Sequence, residues 1–209
     1  MAIRDTPAAE AFAFSRRNSL RGATDHLHRD LDRLLGCFKL GEPAHYRRFL
    51  QASAATLIAI EQLLESAGVA QLLPDWAERT RREPILDDLL NLDSRVQPLA
   101  LRRTAPTPAE VFGILYVLEG LRVGARALLD QVLASADETV RSTSAYLRHG
   151  QAELNLWGSF LEQLESHEAA DDQTQTVSGA VYAFTMFIRA FSQAAAELRP
   201  RSTPAAPAL

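Results

Sequence analysis

Two histidines spaced two residues apart are the side chains with the clearest chemical potential. They lie in the segment LRGATDHLHRDLD, residues 20–32, as His26 and His28. Because an α-helix turns by about 100° per residue, a helix here would point them roughly 200° apart. His28 follows Thr24 by four residues and precedes Leu31 by three, which places it on the apolar side of that helix. His26 lies on the charged side, so the two histidines cannot serve the same role.

An arginine and a carboxylate accompany His28. Arg21 lies seven residues earlier, about two turns or roughly 10 Å away along the same side. Asp32 lies one turn later, where it can hold the imidazole in one tautomer. Such a group suits a ligand with a metal at its centre and acids at its edge, a description that fits heme. The alternative is a histidine buried in the core, whose hydrogen bonds serve only the fold.

Three glycines form a second pattern, in the segment FGILYVLEGLRVGARALL, residues 112–129. Gly113, Gly120 and Gly124 are spaced by seven and four residues, so they fall on one side of a helix. Each costs about 1 kcal/mol relative to alanine inside a helix, which indicates that something approaches the backbone closely. A neighbouring helix is one explanation, through a contact between small residues. A flat ligand is the other.

Helices must position these residues, because apolar side chains recur every three or four positions along most of the chain. The pattern predicts helices over residues 20–35, 43–67, 75–82, 84–93, 108–134, 138–166 with a break near Gly150, and 173–198. No run of β-branched residues bounded by turns predicts a strand. The sequence therefore predicts an all-α, single-domain multi-helix bundle over residues 15–199. Residues 1–14 are expected to be a flexible segment and residues 200–209 a disordered tail.

The composition excludes several classes of protein. The 209 residues include one cysteine and carry a formal net charge of −4. One cysteine cannot form an intramolecular disulfide or an all-cysteine zinc site, and it favours a reducing compartment. The mildly acidic balance argues against a general nucleic-acid binder. No apolar stretch approaches the ~18 residues that cross a bilayer, and Asp5 and Glu10 interrupt any secretion signal. We expect a cytoplasmic protein.

Three segments of the chain resemble heme oxygenases, especially the bacterial group associated with bacteriophytochromes. Residues 20–32 resemble the proximal-helix pattern LRxATxxxHxxLD, in which the iron-ligating histidine falls on His28. Residues 116–125, YVLEGLRVGA, resemble the distal-helix pattern YVLEGSxxGG. Residues 145–164 are similar to a later segment of the same group. The likeness extends over about residues 18–195.

The resemblance implies that heme lies between the proximal helix and the distal helix, close to Gly120 and Gly124. It implies oxygen-dependent cleavage of heme to biliverdin, ferrous iron and carbon monoxide. Heme would be both substrate and prosthetic group, with electrons from a ferredoxin or a reductase, and a bacteriophytochrome is an expected recipient of biliverdin. Arg21 matches the basic position that meets a propionate. Tyr182 and Arg189, seven residues apart, are assigned to the other propionate on spacing only.

Two positions depart from the distal pattern. Leu121 stands where the bacterial group has serine and animal enzymes have aspartate, and Ala125 replaces the second glycine. Because Leu121 cannot hydrogen-bond water, a non-catalytic heme-binding or regulatory interaction protein remains an alternative. Arg122 and Arg126, one turn apart, are predicted to be a solvated surface pair.

Two other enzyme classes use similar bundles. A thiamin-degrading relative would need a nucleophilic cysteine in a polar pocket, but Cys37 falls just beyond the first predicted helix. A di-iron oxidase would need Glu-x-x-His pairs on several helices, and Glu42 with His45 is the only such pair. His45, His149 and His167 lie near predicted helix ends, where capping or solvated side chains are expected.

Overall fold

A computed structural model describes residues 15–101, 104–151 and 155–198 of the chain. In this part the α-helices, in chain order, are α1 (Arg16–Leu35), α2 (Pro43–Ser66), α3 (Val69–Leu72), α4 (Trp76–Arg79), α5 (Arg82–Asn91), α6 (Pro108–Leu133), α7 (Glu138–Ser142), α8 (Ala145–Arg148), α9 (Leu156–Ser166) and α10 (Gln173–Glu197). The described residues contain no strand, which confirms the all-α prediction. The predicted flexible segment, residues 1–14, and the predicted tail, residues 200–209, lie outside the described residues.

The long helices α2, α6 and α10 have nearly the predicted bounds, because each begins or ends at a strong local signal. At α6, Thr107 Oγ1 accepts a hydrogen bond from Glu110 N, and the Glu110 carboxylate accepts one from Thr107 N. This reciprocal capping box closes the first turn. By contrast, α1 begins before its predicted start, because Ser15 Oγ accepts a hydrogen bond from Asn18 N at 3.2 Å.

The predicted helix over residues 138–166 is instead three helices. Asp88 explains where α8 begins, because its buried carboxylate accepts hydrogen bonds from Ala145 N and Tyr146 N, each at 2.9 Å. The helical path ends at His149, whose ψ of 121° is extended, and Gly150 follows with a φ of 74°, a left-handed conformation that favours glycine. The break near Gly150 was therefore predicted, whereas the separation of α7 from α8 was not.

The C-terminal helix α10 packs along α6, α1 and α2 and links them into one core. Its closest approach to α6 uses two glycines. A Cβ atom added to Gly113 would collide with the carbonyl oxygen of Thr176, and one added to Gly179 would collide with the carbonyl oxygen of Glu110. For Gly113, the packing of a neighbouring helix is therefore the correct explanation. None of the helices in the described ranges is long and apolar enough to cross a membrane.

We predict that Gly113→Ala lowers the free energy of unfolding by about 1–3 kcal/mol, because the added methyl group forces α6 and α10 apart. Gly22→Ala is the matched control, since Gly22 lies in α1 and a Cβ atom added there would meet nothing within 4 Å. This control should be stabilised by up to about 1 kcal/mol through helix propensity. Urea unfolding of both variants measures the difference, and equal stabilities would contradict the packing argument.

Candidate functional site

A pocket of about 400 Å³ opens between α1 and α6. Trp157 of α9 and Phe184 of α10 complete its walls. The remaining lining residues are Arg17, Arg21, Thr24, Asp25 and His28 from α1, and Tyr116, Val117, Gly120, Leu121 and Val123 from α6. All of them except Arg17 lie in the two segments that the sequence singled out. The structure therefore brings the histidine segment and the glycine segment to one cavity.

His28 lies on the α1 wall with its side chain 62% exposed, so it is not a buried core histidine. Its Nδ1 atom lies 3.0 Å from Asp32 Oδ2, one turn along the helix. When Nδ1–H donates to this carboxylate, Nε2 keeps its lone pair and is free to ligate a metal. The ring packs edge-on against Phe184, with centroids 6.1 Å apart. His26 does not line this pocket and faces a separate surface depression.

The α6 wall presents bare backbone at Gly120. A Cβ atom added there would meet nothing within 4 Å, and the same is true of Gly124. Only Gly120 lines the pocket, whereas Gly124 is exposed beside it. The three glycines therefore have different surroundings, because Gly113 contacts α10, Gly120 borders open space in the pocket and Gly124 is exposed outside the pocket lining. Leu121 lines the pocket too, so the departure from the distal pattern lies within the site itself.

Two arginines form a basic rim at the α1 wall. Arg21 lines the pocket, and Arg17 lines it one turn earlier, with its guanidinium carbon 5.8 Å from the centroid of the Trp157 ring. Burial raises the pKa of Tyr116, and the positive charges of Arg17 and Arg21 oppose that rise. Arg17 was not predicted, because the predicted helix starts at residue 20. The spacing of four residues to Arg21 would have revealed it.

The two residues assigned to the second propionate are not part of this pocket. Neither Tyr182 nor Arg189 lines it, and α10 contributes Phe184 instead. Arg189 is exposed and Tyr182 is half-buried. Their spacing of seven residues places them on one side of α10, but the pocket meets that helix elsewhere.

Arg122 is only 3% exposed, so the predicted surface pair with Arg126 is wrong for Arg122, although Arg126 is exposed. Arg122 Nε donates to Glu119 Oε2 at 3.0 Å. Its Nη1 atom donates to His149 Nδ1 at 2.8 Å. Burial lowers the pKa of Arg122, and burial together with the charge of Arg122 lowers the pKa of His149. Because a guanidinium can only donate, His149 Nδ1 is the acceptor in this hydrogen bond, and the lowered pKa of His149 favours the neutral ring that can accept.

The remaining candidate groups lie apart from the pocket. His45 Nδ1 accepts a hydrogen bond from Lys39 N, and His167 Nδ1 accepts one from Ala169 N, which fits the predicted capping roles. Cys37 is exposed and does not line the cavity. Glu42 Oε2 lies 3.6 Å from His45 Nε2. The described ranges, however, hold no group of three or more His, Cys, Asp or Glu side chains that could bind a metal ion.

Comparison with known proteins identifies the architecture. No protein-family model matches this sequence, and no curated protein matches it. Among solved structures, the NO- and CO-bound heme oxygenase from Neisseria meningitidis matches with a TM-score of 0.71 and 17% sequence identity. The match covers 88% of this chain and 93% of that chain. Because the identity is so low, the similarity establishes architecture rather than activity. This chain has the all-α fold of heme oxygenases.

Proposed function

We propose that this protein binds heme in the pocket between α1 and α6 and cleaves it, with oxygen, to biliverdin, ferrous iron and carbon monoxide. The observation that carries the proposal is the placement of His28. Its imidazole lines the pocket and is oriented by Asp32, while Gly120 offers bare backbone on the α6 wall of the same cavity.

The residues of the pocket fit heme in three respects. An imidazole with a free Nε2 atom is a common axial ligand of heme iron. The side chains of Val117, Leu121, Trp157 and Phe184 supply apolar and aromatic contacts for a flat macrocycle. The guanidinium groups of Arg17 and Arg21 suit the two carboxylates at its edge. Arg17 thus replaces Tyr182 and Arg189 as the second group proposed to bind a propionate.

Bound heme would supply the iron at which oxygen is reduced and the ring that is opened. The side chains of the protein would hold and orient it. His28 would bind the iron through Nε2, and Asp32 would keep the imidazole in the tautomer that binds metal. Arg17 and Arg21 would bind the carboxylates at the edge of the ring. Gly120 would leave room for the ring beside the α6 backbone, and Leu121 would shield that part of the pocket from water.

The remaining parts of the proposal rest on the sequence resemblance. We propose a ferredoxin or a reductase as the electron donor and a bacteriophytochrome as the recipient of biliverdin. We also propose a cytoplasmic location, which agrees with a single cysteine that is free and exposed.

A second candidate function is heme binding without turnover, in a carrier or a regulatory protein. The observation that favours it is Leu121, which places an apolar side chain in the pocket where the bacterial group has a hydroxyl. Ala125 is buried one turn later and does not line the pocket, so it supplies no polar group there.

We predict that titrating the wild-type protein with hemin produces a Soret band whose absorbance saturates at one equivalent of hemin. His28→Ala should remove this band or weaken hemin affinity by more than roughly tenfold, because the iron loses its only proposed protein ligand. His26→Ala is the matched control on the same helix, outside the pocket, and should bind hemin normally. Equal affinities of the two variants would exclude His28 as the ligand.

We predict that Arg17→Gln and Arg21→Gln each weaken hemin binding by about 1 kcal/mol, roughly fivefold, through loss of a charged contact at an exposed rim. Arg29→Gln is the control, since Arg29 is exposed on α1 but does not line the pocket. Hemin with esterified carboxylates should bind the wild-type protein and both pocket variants equally. A similar loss for the esterified ligand would show that the arginines do not contact carboxylates.

Turnover separates the two candidate functions. With oxygen and a reductant, an active enzyme should convert bound hemin to biliverdin, detected by chromatography, and should release carbon monoxide. Leu121→Ser should accelerate this conversion, because a hydroxyl in the pocket can hold water by hydrogen bonding. A stable complex in the wild-type protein that turns over only in Leu121→Ser would establish the non-catalytic alternative.

A further inference from the structure

A buried polar cluster lies behind the α6 wall and is not used by the proposed function. We call it the Arg122 cluster; it comprises Arg79, Glu119, Arg122, His149 and Gln151. Arg79, Glu119 and Arg122 are each at most 3% exposed. Arg122 Nη2 donates to the carbonyl oxygen of Arg79 at 2.6 Å, and Gln151 Nε2 donates to the carbonyl oxygen of Arg122 at 2.6 Å. The cluster therefore joins α6 to α4 and to the segment after α8.

The same cluster reaches a second wall of the pocket through Arg79. Arg79 Nη1 donates to the carbonyl oxygen of Leu156 at 2.8 Å, and Arg79 Nη2 donates to Ser159 Oγ at 2.8 Å. These atoms flank Trp157, which lines the pocket. On α6, Glu119 and Arg122 flank Gly120 and Leu121, which line it as well. One set of hydrogen bonds thus links the α6 wall of the pocket to the α9 wall that contains Trp157.

Burying the charged groups of this cluster costs free energy, and apolar side chains could fill the same space without that cost. Desolvating charged groups is expensive, and well-packed apolar residues in place of a buried ion pair are often equally stable or more stable. Directional hydrogen bonds supply what apolar contacts lack, because they specify one arrangement of the backbone. The guanidinium of Arg122 makes this possible, since its planar donors reach Glu119, His149 and the Arg79 carbonyl oxygen together.

We infer that Arg122 is a positioning residue, which fixes the α6 backbone at Gly120 relative to Trp157 and so sets the width of the pocket. The inference rests on the proposed heme site. The ordering of the α6 backbone by Arg122 does not itself require heme, so amide hydrogen exchange can test it in the ligand-free protein.

The test compares Arg122→Lys with Arg126→Lys, a control one turn later on α6 with an exposed side chain. Lysine keeps the charge but cannot donate in three fixed directions. In the ligand-free protein, amide hydrogen exchange over residues 118–126 should rise about tenfold in Arg122→Lys, with α2 unchanged. Hemin affinity should fall about tenfold, because the two walls no longer hold a fixed separation. Arg126→Lys should match the wild-type protein in both measurements.

A second pair of variants tests the cluster without altering a buried charge. His149→Ala removes the side-chain acceptor of Arg122 Nη1 and leaves it only the longer contact, 3.4 Å, with the carbonyl oxygen of residue 149, whereas His149→Asn offers Oδ1 at the position of Nδ1. We expect the alanine variant to show faster amide hydrogen exchange over residues 118–126 and weaker hemin binding. The asparagine variant should recover the wild-type value of both. This pair decides the question if Arg122→Lys does not fold.

Three outcomes would overturn the inference: unchanged exchange over residues 118–126, faster exchange throughout the protein with unchanged hemin affinity, or no recovery in His149→Asn. The second is the result expected if Arg122 contributes only to global stability. Failure of the wild-type protein to bind hemin would instead refute the proposed function. Exchange in the ligand-free protein would still show whether Arg122 orders α6.

Discussion

The contact between the backbones of α6 and α10 is the constraint on which the rest of the structure depends. Gly113 and Gly179 permit it, because any side chain at either position would collide with a carbonyl oxygen of the other helix. Since α10 also packs along α1, the contact determines where α6 lies relative to His28. Phe184, two turns after the start of the contact at Thr176, then reaches both the histidine ring and the pocket.

Local signals in the sequence account for the parts of the fold that were predicted correctly and for the neighbours that the structure gives to His28. The capping box at Thr107 and Glu110 is complete within four residues, so the start of α6 needs no tertiary information. The pairing of His28 with Asp32 likewise follows from a spacing of one helical turn. In both cases the interaction spans a few residues of one helix. Periodicity placed Gly120 on one side of its helix together with Gly113 and Gly124, but it did not show whether a helix or a ligand faces each glycine.

Most of the failures have the opposite property, because they depend on residues distant in the chain. Arg122 has the spacing of an ordinary surface arginine, and its burial results from contacts with the Arg79 carbonyl oxygen and His149, 43 and 27 residues away. Tyr182 and Arg189 share a side of α10, but periodicity cannot show which part of that side meets a cavity. Arg17 was missed for a local reason, since the cap that begins α1 was not recognised.

The exposure of the pocket has a consequence for the lifetime of the protein. Val123 lines the cavity yet is 53% exposed, and His28 on the opposite helix is more exposed still. A flat apolar ligand would cover this surface, and each Å² of apolar area removed from water contributes about 25 cal/mol. A ligand that binds only the folded chain shifts the unfolding equilibrium by mass action. Resistance to proteolysis should therefore rise with the concentration of that ligand. The protein would then persist longest in cells where its ligand is plentiful.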